Sequence, residues 1–252
     1  MENLLELKDV ELIYHSPQSE THALEKLTFQ VENGEFVSIV GPSGCGKTTL
    51  LSLIAGILKP TSGKITILGE HTNADASQTG YMFQRDNLFE WISIWKNVTL
   101  GLGFKNRNTK ENRDYANNLL DKYGLKDFKH HYPSELSGGM RQRVALIRTL
   151  SLHPKLLLLD EPFSALDYQT RLAVQDDVYS IIQKEKKTAL LVTHDIGEAI
   201  ALSSKIIVLT HRPGSVKKII NLDFDKSLTP FERRKDIKFN HYFNQIWSEL
   251  DS

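Results

Sequence analysis

Hydrophobic and polar residues alternate over the first part of the chain with a period close to two. The apolar members of this alternation are Leu5, Leu7, Val10, Leu12, Leu27, Phe29 and Val31. Such a period is typical of a strand that buries one face and exposes the other. The sequence therefore predicts two half-buried strands in this region, and the second of them ends at an Asn33-Gly34 turn.

A second pattern consists of short runs in which nearly every residue is apolar. Strands of a parallel sheet that is covered on both faces have this composition. The runs occupy residues 36–40, 156–159, 190–192 and 206–209. Between about Asn108 and Leu152, apolar residues instead recur at helical intervals. Buried strands separated by helices predict an α/β core.

A last helix is predicted at the C-terminal end. Phe243, Ile246, Trp247 and Leu250 follow Phe239 at intervals that place all five on one helical face. The sequence therefore predicts a terminal helix with one apolar face.

Composition narrows the class of protein. Of the 252 residues, 40% are hydrophobic and 25% charged, as in soluble globular proteins. Lys and Arg balance Asp and Glu at 31 each, which argues against a broad nucleic-acid surface. The single cysteine excludes an internal disulfide framework, and no apolar run approaches the roughly 18 residues of a membrane helix. We expect an intracellular protein that binds no nucleic acid.

A complete phosphate-binding motif follows the run at 36–40. Its defining residues are Gly41, Gly46, Lys47 and Thr48, between a predicted strand and a predicted helix. Glycines let backbone N–H groups turn inward around phosphate oxygens. Lys47 is expected to reach the β- and γ-phosphates and the Thr48 hydroxyl to bind Mg²⁺. The predicted nucleotide-binding segment comprises Gly41, Pro42, Ser43, Gly44, Cys45, Gly46, Lys47, Thr48 and Thr49.

The run at 156–159 ends in two carboxylates. Phosphoryl transfer needs a carboxylate at the end of a buried strand, and Asp160 is expected to hold Mg²⁺, directly or through water. Glu161 is placed to accept a proton from the attacking water as general base. A turn after a capped strand is the alternative interpretation of the same residues, and the complete phosphate loop disfavours it.

A second glycine-rich turn, at residues 136–140, precedes a helical pattern. With Ser137, Gly138 and Gly139 at the helix start, it predicts another anion site. A monomer has little evident use for two such turns on one γ-phosphate, unless two copies face each other.

Taken in order, these motifs closely resemble those of the ATP-binding cassette family, the nucleotide-binding subunits of membrane transporters. The resemblance extends from about Leu4 to Leu209. The corresponding segments are the Walker A loop at 41–49, the signature motif at 136–140, Walker B with the catalytic glutamate at 156–161, and the D-loop at 164–167. Met140 departs from the family, whose signature most often ends in Gln, and is interpreted as an apolar contact at the helix start.

The resemblance also assigns roles that the residues alone leave open. Gln84 corresponds to the Q-loop glutamine, at the metal and the attacking water, although a loop glutamine is usually just solvated. His194 corresponds to the switch histidine at the γ-phosphate. Tyr14 corresponds to the aromatic that stacks on adenine, or else is a strand-end aromatic. Asp167 has a dimer-interface role in the family, but it could simply cap a helix.

The implied fold is an α/β P-loop NTPase with a mostly parallel core sheet. An N-terminal antiparallel β subdomain and an inserted α-helical subdomain, at about 85–155, complete an ATPase domain over 1–220. Residues 221–252 form a short helical extension. The family further implies a head-to-tail homodimer with two ATP molecules between the subunits, each contacted by Ser137 and Gly139 of the other copy.

The same resemblance implies an ATP-hydrolysing subunit on the cytoplasmic face of the membrane. Its partners would be transmembrane permease subunits and, indirectly, an extracytoplasmic substrate-binding protein. Residues 87–98, rich in large apolar side chains, would be a partly exposed cleft for a permease helix, core of the helical subdomain, or both.

Residues 88–91, 212–214 and 246–250 resemble the importer branch for nitrate, sulfonate, taurine and bicarbonate. Alternatives are import of a thiamine-precursor pyrimidine or another small solute, or a nucleotide-gated adaptor that does not transport.

Overall fold

The framework of the protein is two β-sheets with helices packed between and around them. The computed structural model describes residues 3–16, 19–72, 78–104, 107–225 and 227–251. In chain order the strands are β1 (Asn3–Ser16), β2 (Ser19–Glu32), β3 (Phe36–Val40), β4 (Ser62–Ile67), β5 (Glu70–His71), β6 (Thr79–Met82), β7 (Leu156–Asp160), β8 (Thr188–Val192), β9 (Lys205–Leu209) and β10 (Val216–Asn221). The helices are α1 (Lys47–Ile54), α2 (Ile94–Thr99), α3 (Lys110–Lys122), α4 (Gly138–Leu150), α5 (Tyr168–Lys184), α6 (Ile196–Leu202), α7 (Pro230–Arg233) and α8 (Ile237–Asp251).

The N-terminal sheet is antiparallel, in the strand order β2–β1–β4–β5. Its buried face carries the apolar residues whose alternation predicted it. Asp9 adopts a left-handed φ of 48° where the β1–β2 register shifts. This irregularity explains why the apolar spacing lengthens between Leu7 and Val10, since an extra residue in one strand reverses the facing of those that follow. Strands β4 and β5 were not predicted.

The second sheet has the order β10–β9–β3–β8–β7–β6. Strands β9, β3, β8, β7 and β6 are parallel, and only β10 runs antiparallel to its neighbour. Every residue of β3, β7 and β8 is buried. The predicted α/β fold with a mostly parallel core sheet is confirmed, although β6 and β10 were not identified from the sequence.

Two of the three buried cores formed by the described residues cover opposite faces of this sheet at β7 and β8. One contains the inner side chains of α1 together with residues of both sheets. The other joins α2, α3, α4 and α5 to the opposite side of β7 and β8. The helical pattern predicted between Asn108 and Leu152 is confirmed by α3 and α4, but only short 3₁₀ turns form between them, at Lys126–Phe128 and Pro133–Glu135.

The C-terminal helix packs on the core with the predicted apolar face, through four of the five residues that define it. Ile246 is fully buried in a cluster with residues of α6, β9 and β10, and Phe239, Phe243 and Leu250 pack partly against it. Trp247, however, is 57% exposed. Consecutive helical residues are about 100° apart, so the residue after the central contact turns away from it. Trp247 therefore belongs to the apolar face but lies at its exposed edge.

Within the described ranges, no helix combines the length and apolarity that crossing a membrane requires. The parallel strands bring several chain segments together, because their carboxyl ends meet at one edge of the sheet. The segments that leave β3, β8, β7 and β6 there begin at Gly41, Thr193, Glu161 and Phe83.

Candidate nucleotide site

The phosphate loop joins β3 to α1 and depends on glycine at its end. Gly46 has a left-handed φ of 107°, and a Cβ there would lie 2.7 Å from Leu24 Cδ2. No side chain caps the first N–H groups of α1. Unpaired N–H groups at a helix start attract anions, so this end of α1 is open to phosphate oxygens.

Lys47 lies across the loop that precedes it. Its Nζ donates to the carbonyl oxygens of Gly41 at 2.8 Å and Pro42 at 3.0 Å. The side chain is almost entirely buried. A buried ammonium requires such hydrogen bonds to offset its lost hydration, and they hold the charge at the loop.

The loop and the ends of β7 and β8 line a single cleft of about 590 Å³. That volume is in the range of small-molecule sites. The lining residues are Ser43, Gly44, Gly46, Lys47, Thr48, Thr49, Glu161 and His194. Residues predicted from three separate motifs therefore converge on one cavity.

Asp160 lies beside the loop and is nearly buried. Its Oδ1 accepts a hydrogen bond from Thr48 Oγ1 at 3.2 Å and its Oδ2 accepts one from the Tyr81 hydroxyl at 3.0 Å. Burial raises the pKa of Asp160, while the two hydrogen bonds oppose that rise. Burial and the neighbouring Asp160 raise the pKa of Tyr81 well above its usual range, so Tyr81 remains a donor.

Two hard oxygen ligands, from Thr48 and Asp160, are thus close enough to bind one cation. Mg²⁺ commonly takes one or two protein oxygens and completes its shell with water and substrate phosphates. Across the described part of the chain, no group of three or more His, Cys, Asp or Glu side chains could hold a metal. A Mg²⁺ ion bound largely through phosphates needs no such group, so the residues present fit it.

Glu161 and His194 form a pair at the cleft. His194 Nδ1 lies 2.9 Å from Glu161 Oε2. Glu161 has a left-handed φ of 45°, which is uncommon for a residue other than glycine, and its backbone N–H donates to Val192 O at 2.9 Å. That hydrogen bond ties the turn after β7 to the end of β8, so the two side chains are set by neighbouring strands.

Apart from Asp160, four predicted site residues outside the phosphate loop are absent from the cleft lining: Tyr14, Gln84, Ser137 and Gly139. Tyr14 is partly exposed on β1. Gln84 is exposed two residues beyond β6, at the same sheet edge as Asp160. Of the phosphate-loop residues, Gly41, Pro42 and Cys45 are also absent from the lining.

The Cys45 thiol points into the core between the two sheets and is buried. Burial raises its pKa against the lowering effect of the Lys47 charge. Cys45 is therefore a small packing residue, and only its backbone is available to a nucleotide.

The second glycine-rich turn, at residues 136–140, is built differently from the phosphate loop. The Ser137 hydroxyl accepts a hydrogen bond from the Met140 N–H at 3.4 Å and so caps α4. A Cβ on Gly139 would lie 2.8 Å from Val174 Cγ2, which makes this glycine a requirement of close packing against α5. Met140 packs partly against the helical core, as predicted. Asp167 caps α5 by accepting from Thr170 N at 3.1 Å.

Sequence reasoning missed Tyr81 and Glu198. The signal for Tyr81 was its place in a short apolar strand just ahead of Gln84. Glu198, 4% exposed on α6, gave no sequence signal, because a lone glutamate in a helix is usually solvated.

The segment at 87–98 is core and surface together. Leu88, Ile94 and Val98 are buried, whereas Phe89 and Trp91 are exposed. The buried Asn97 amide bonds to the backbone of Phe89 and holds the exposed turn. Partial exposure, as predicted, is confirmed.

Comparisons with known proteins agree on one family. Residues 24–164 match the ABC transporter family model. The chain is 46% identical over 251 residues to an uncharacterized ABC transporter ATP-binding protein, YtlC, of Bacillus subtilis, covering 99% of this chain and 96% of that protein. It is 41% identical over 250 residues to the nitrate import ATP-binding protein NrtD of Synechocystis, covering 98% of this chain and 94% of that one.

A further relative is the aliphatic sulfonates import ATP-binding protein SsuB of Bacillus cereus, 42% identical over 219 residues, with 86% of each chain covered. Among solved structures, the dimeric post-hydrolysis state of the ATP-binding cassette MJ0796 bound to ADP and Pi superposes with a TM-score of 0.73. It shares 34% identity, and the alignment covers 88% of this chain and all of that one.

Proposed function

Because the chain belongs to the ABC transporter family and is an ATPase of that family, we propose that it hydrolyses ATP in the cleft between the phosphate loop and the ends of β7 and β8. This hydrolysis would drive the import of a small solute through a separate permease. One observation carries the assignment of residues. Lys47, Glu161 and His194 face the same 590 Å³ cavity, with Glu161 and His194 hydrogen bonded to each other.

The phosphate loop binds the nucleotide. Its N–H groups and Lys47 hold the β- and γ-phosphates, and Tyr14 stacks on the adenine. Thr48 and Asp160 would hold Mg²⁺, with Gln84 as a further ligand. When bound, Mg²⁺ neutralises charge that develops on the phosphate oxygens.

Glu161 and His194 divide the work on the attacking water. Glu161 accepts its proton as general base. The His194–Glu161 hydrogen bond orients the carboxylate, which leaves the other imidazole nitrogen for the γ-phosphate. Gln84 orients the water from the end of β6.

The test of this assignment is ATP turnover by the purified protein and by Glu161→Gln. Loss of the general base should lower turnover by roughly 100-fold or more, with nucleotide binding retained. Glu111→Gln, on the exposed side of α3, is the matched control and should keep wild-type turnover. Equal, negligible rates for the wild type and Glu161→Gln, even with the permease present, would favour a nucleotide-gated adaptor instead.

Two copies would form the working unit, head to tail, with two ATP molecules between them. The support is the dimer of the solved cassettes and the position of Ser137 and Gly139 outside the cleft of their own chain. Glu161→Gln with ATP should trap that dimer. Light scattering that reports an unchanged monomer at saturating ATP would reject the arrangement.

The permease surface would be the exposed turn before α2. A groove of about 430 Å³ lies beside it, lined in part by Asp86, Leu88 and Arg141. Trp91 is 74% exposed at this edge. Replacing Trp91 with Ala should weaken binding to the permease without changing ATP hydrolysis by the free protein. Unchanged binding would remove this surface from the proposal.

The helical core of α2–α4 supports an inserted helical subdomain at about 85–155, within an ATPase domain over 1–220 and ahead of an extension at 221–252. The protein would act at the cytoplasmic face of the membrane. Its relatives named for nitrate and sulfonate import favour a small solute of that kind. The resemblance of residues 88–91, 212–214 and 246–250 adds taurine and bicarbonate to the candidates. An extracytoplasmic substrate-binding protein would select it, and the solute that protein binds is the decisive measurement.

A further inference from the structure

Beneath the cleft lies a buried carboxyl that the proposed reaction does not use. Glu198, in α6, has one oxygen that accepts a hydrogen bond from Thr193 Oγ1 at 2.9 Å. Its other oxygen, Oε1, has no hydrogen-bond partner among the described residues. Burial raises the pKa of Glu198 to about 8, against the bond from Thr193. A buried, half-satisfied carboxyl costs stability, so the hydrogen bonds that Glu198 does make are structurally important.

Glu198 belongs to a ring of hydrogen bonds around His194. Thr193 Oγ1 accepts from the Asp195 N–H at 3.0 Å, and Asp195 Oδ1 accepts from the Glu198 N–H at 3.0 Å. The Thr193 N–H donates to Ile39 O of β3 at 3.2 Å. Both neighbours of His194 are therefore held, and the position of its imidazole depends on this ring.

The C-terminal segment reaches the same place through Arg234, which directly follows α7. Its Nη2 donates to Gln175 Oε1 of α5 at 2.7 Å. A Cβ on Gly197 would lie only 3.1 Å from Arg234 Nη1, so the guanidinium lies against the bare backbone of α6. Burial lowers the pKa of Arg234, while the neighbouring Asp195 carboxylate opposes that fall and favours the charged form.

Arg233, the residue before it, anchors the segment independently. It is 6% exposed, and its Nη1 donates to Ala201 O at 3.2 Å and Ser203 O at 3.1 Å. Its Nη2 donates to the Tyr179 hydroxyl at 2.9 Å. The segment therefore has an attachment to α5 and α6 that does not pass through Arg234, and Arg234 can be changed without removing it.

Arg234 thus bridges two helices that begin at the nucleotide-facing edge. Asp167 caps the start of α5, and Asp195, next to His194, caps the start of α6. We propose that Arg234 is a positioning residue for ATP hydrolysis, which holds α5 against α6 so that His194 meets Glu161 in the cleft. This inference rests on the proposed function. It concerns a residue outside the 24–164 range of the family match.

The primary test is steady-state ATP hydrolysis by Arg234→Gln. We expect kcat to fall roughly tenfold while the KM for ATP changes less than about twofold, because the phosphate loop is untouched. Arg234→Lys keeps the charge and should recover part of the loss. Lys235→Gln, the exposed neighbouring position, is the matched control and should behave as the wild type.

Gln175→Leu removes the acceptor of the same hydrogen bond, on α5. It tests the inference even if Arg234→Gln folds poorly. It should lower kcat alone, and the double variant should lose less than the sum of the two single losses, since both remove one interaction. Thermal unfolding of each variant separates a loss of fold from a loss of positioning.

A wild-type kcat in folded Arg234→Gln or in Gln175→Leu would overturn the inference, as would a raised KM with unchanged kcat or fully additive losses. Absence of ATP turnover by the wild-type protein, with Glu161→Gln no different, would reject the proposed function instead.

Discussion

Two helices of this protein begin at a glycine-rich turn that contains a hydroxyl residue, but they are prepared for different tasks. At α1, Gly46 is left-handed and no side chain caps the helix. At α4, Ser137 is extended and caps the helix through the Met140 N–H. The start of α1 lies in a cleft with Glu161 and His194, whereas the start of α4 does not line that cleft.

The glycines of the two turns, Gly46 and Gly139, are also required for different reasons. Gly46 is required by its backbone angle, while Gly139 is required by the nearness of Val174 on α5. One turn is therefore a phosphate cradle completed by its own chain. The other is a packed helix start, and in the dimer we propose it contributes to the site of the second copy.

The largest expected effect comes from breaking the α1 cradle. Lys47→Ala removes the only buried ammonium among the cleft-lining residues. ATP turnover, measured by phosphate release, should fall by roughly 100- to 1,000-fold, as for loss of one strong electrostatic donor. Lys64→Ala, exposed on β4, is the control. Turnover within tenfold of the wild type would contradict the role of Lys47.

The next prediction tests whether the α4 turn acts on the other copy. Lys47→Ala and Ser137→Ala should each be impaired alone. Mixed together, they can form a dimer in which one site has both Lys47 and Ser137 intact, so turnover should exceed the average of the separate samples. A mixture that gives only that average would indicate that Ser137 acts within its own chain.

Alanine at the two glycines should separate backbone strain from crowding. Gly139→Ala places a Cβ 2.8 Å from Val174 Cγ2, and we expect a loss of about 1–3 kcal/mol in the free energy of unfolding. Val174→Ala in the same chain should restore part of that loss. Gly46→Ala should not be rescued by Leu24→Ala, because its φ of 107° remains strained. Equal rescue at both sites would erase the distinction.

The smallest expected effect concerns α6, whose start is also capped beside the cleft. Unlike the other two helices, α6 carries a buried carboxyl, that of Glu198. The folded pKa of Glu198 is about 8, above the ordinary value of 4.5, so between these pH values the folded protein binds the extra proton. The stability that proton binding at Glu198 contributes is fully present below pH 4.5 and is lost as the pH rises toward 8. Arg171, Arg234 and Asp195 are the charged groups that act on it.

Glu198→Gln removes that titration. Relative to the wild type, its free energy of unfolding should therefore increase between pH 5 and pH 8, by at most about 1.4 kcal/mol per pH unit. Urea unfolding at several pH values measures the difference. Glu111→Gln should show no such trend, and a constant difference for Glu198→Gln would contradict the buried, proton-holding carboxyl.

Local features of the fold were predictable because they depend on adjacent residues. The compact apolar runs identified β3, β7, β8 and β9, and an alternating pattern identified β1 and β2. Strands β4, β5, β6 and β10 escaped prediction, because short or half-exposed strands carry little pattern. The exposure of Trp247 was not predictable, since helical spacing defines an apolar face but not the centre of its contact.

By itself, the sequence determined the phosphate loop, the paired carboxylates at the end of β7 and the family. These signals are contiguous, and their chemistry is set by backbone angles and neighbours along the chain. Only the tertiary structure decided that Tyr81 donates to Asp160, that His194 meets Glu161, and that Arg234 joins α5 to α6. The residues in each of these contacts are far apart in the sequence. Only the strand register and the helix packing bring them close enough to touch.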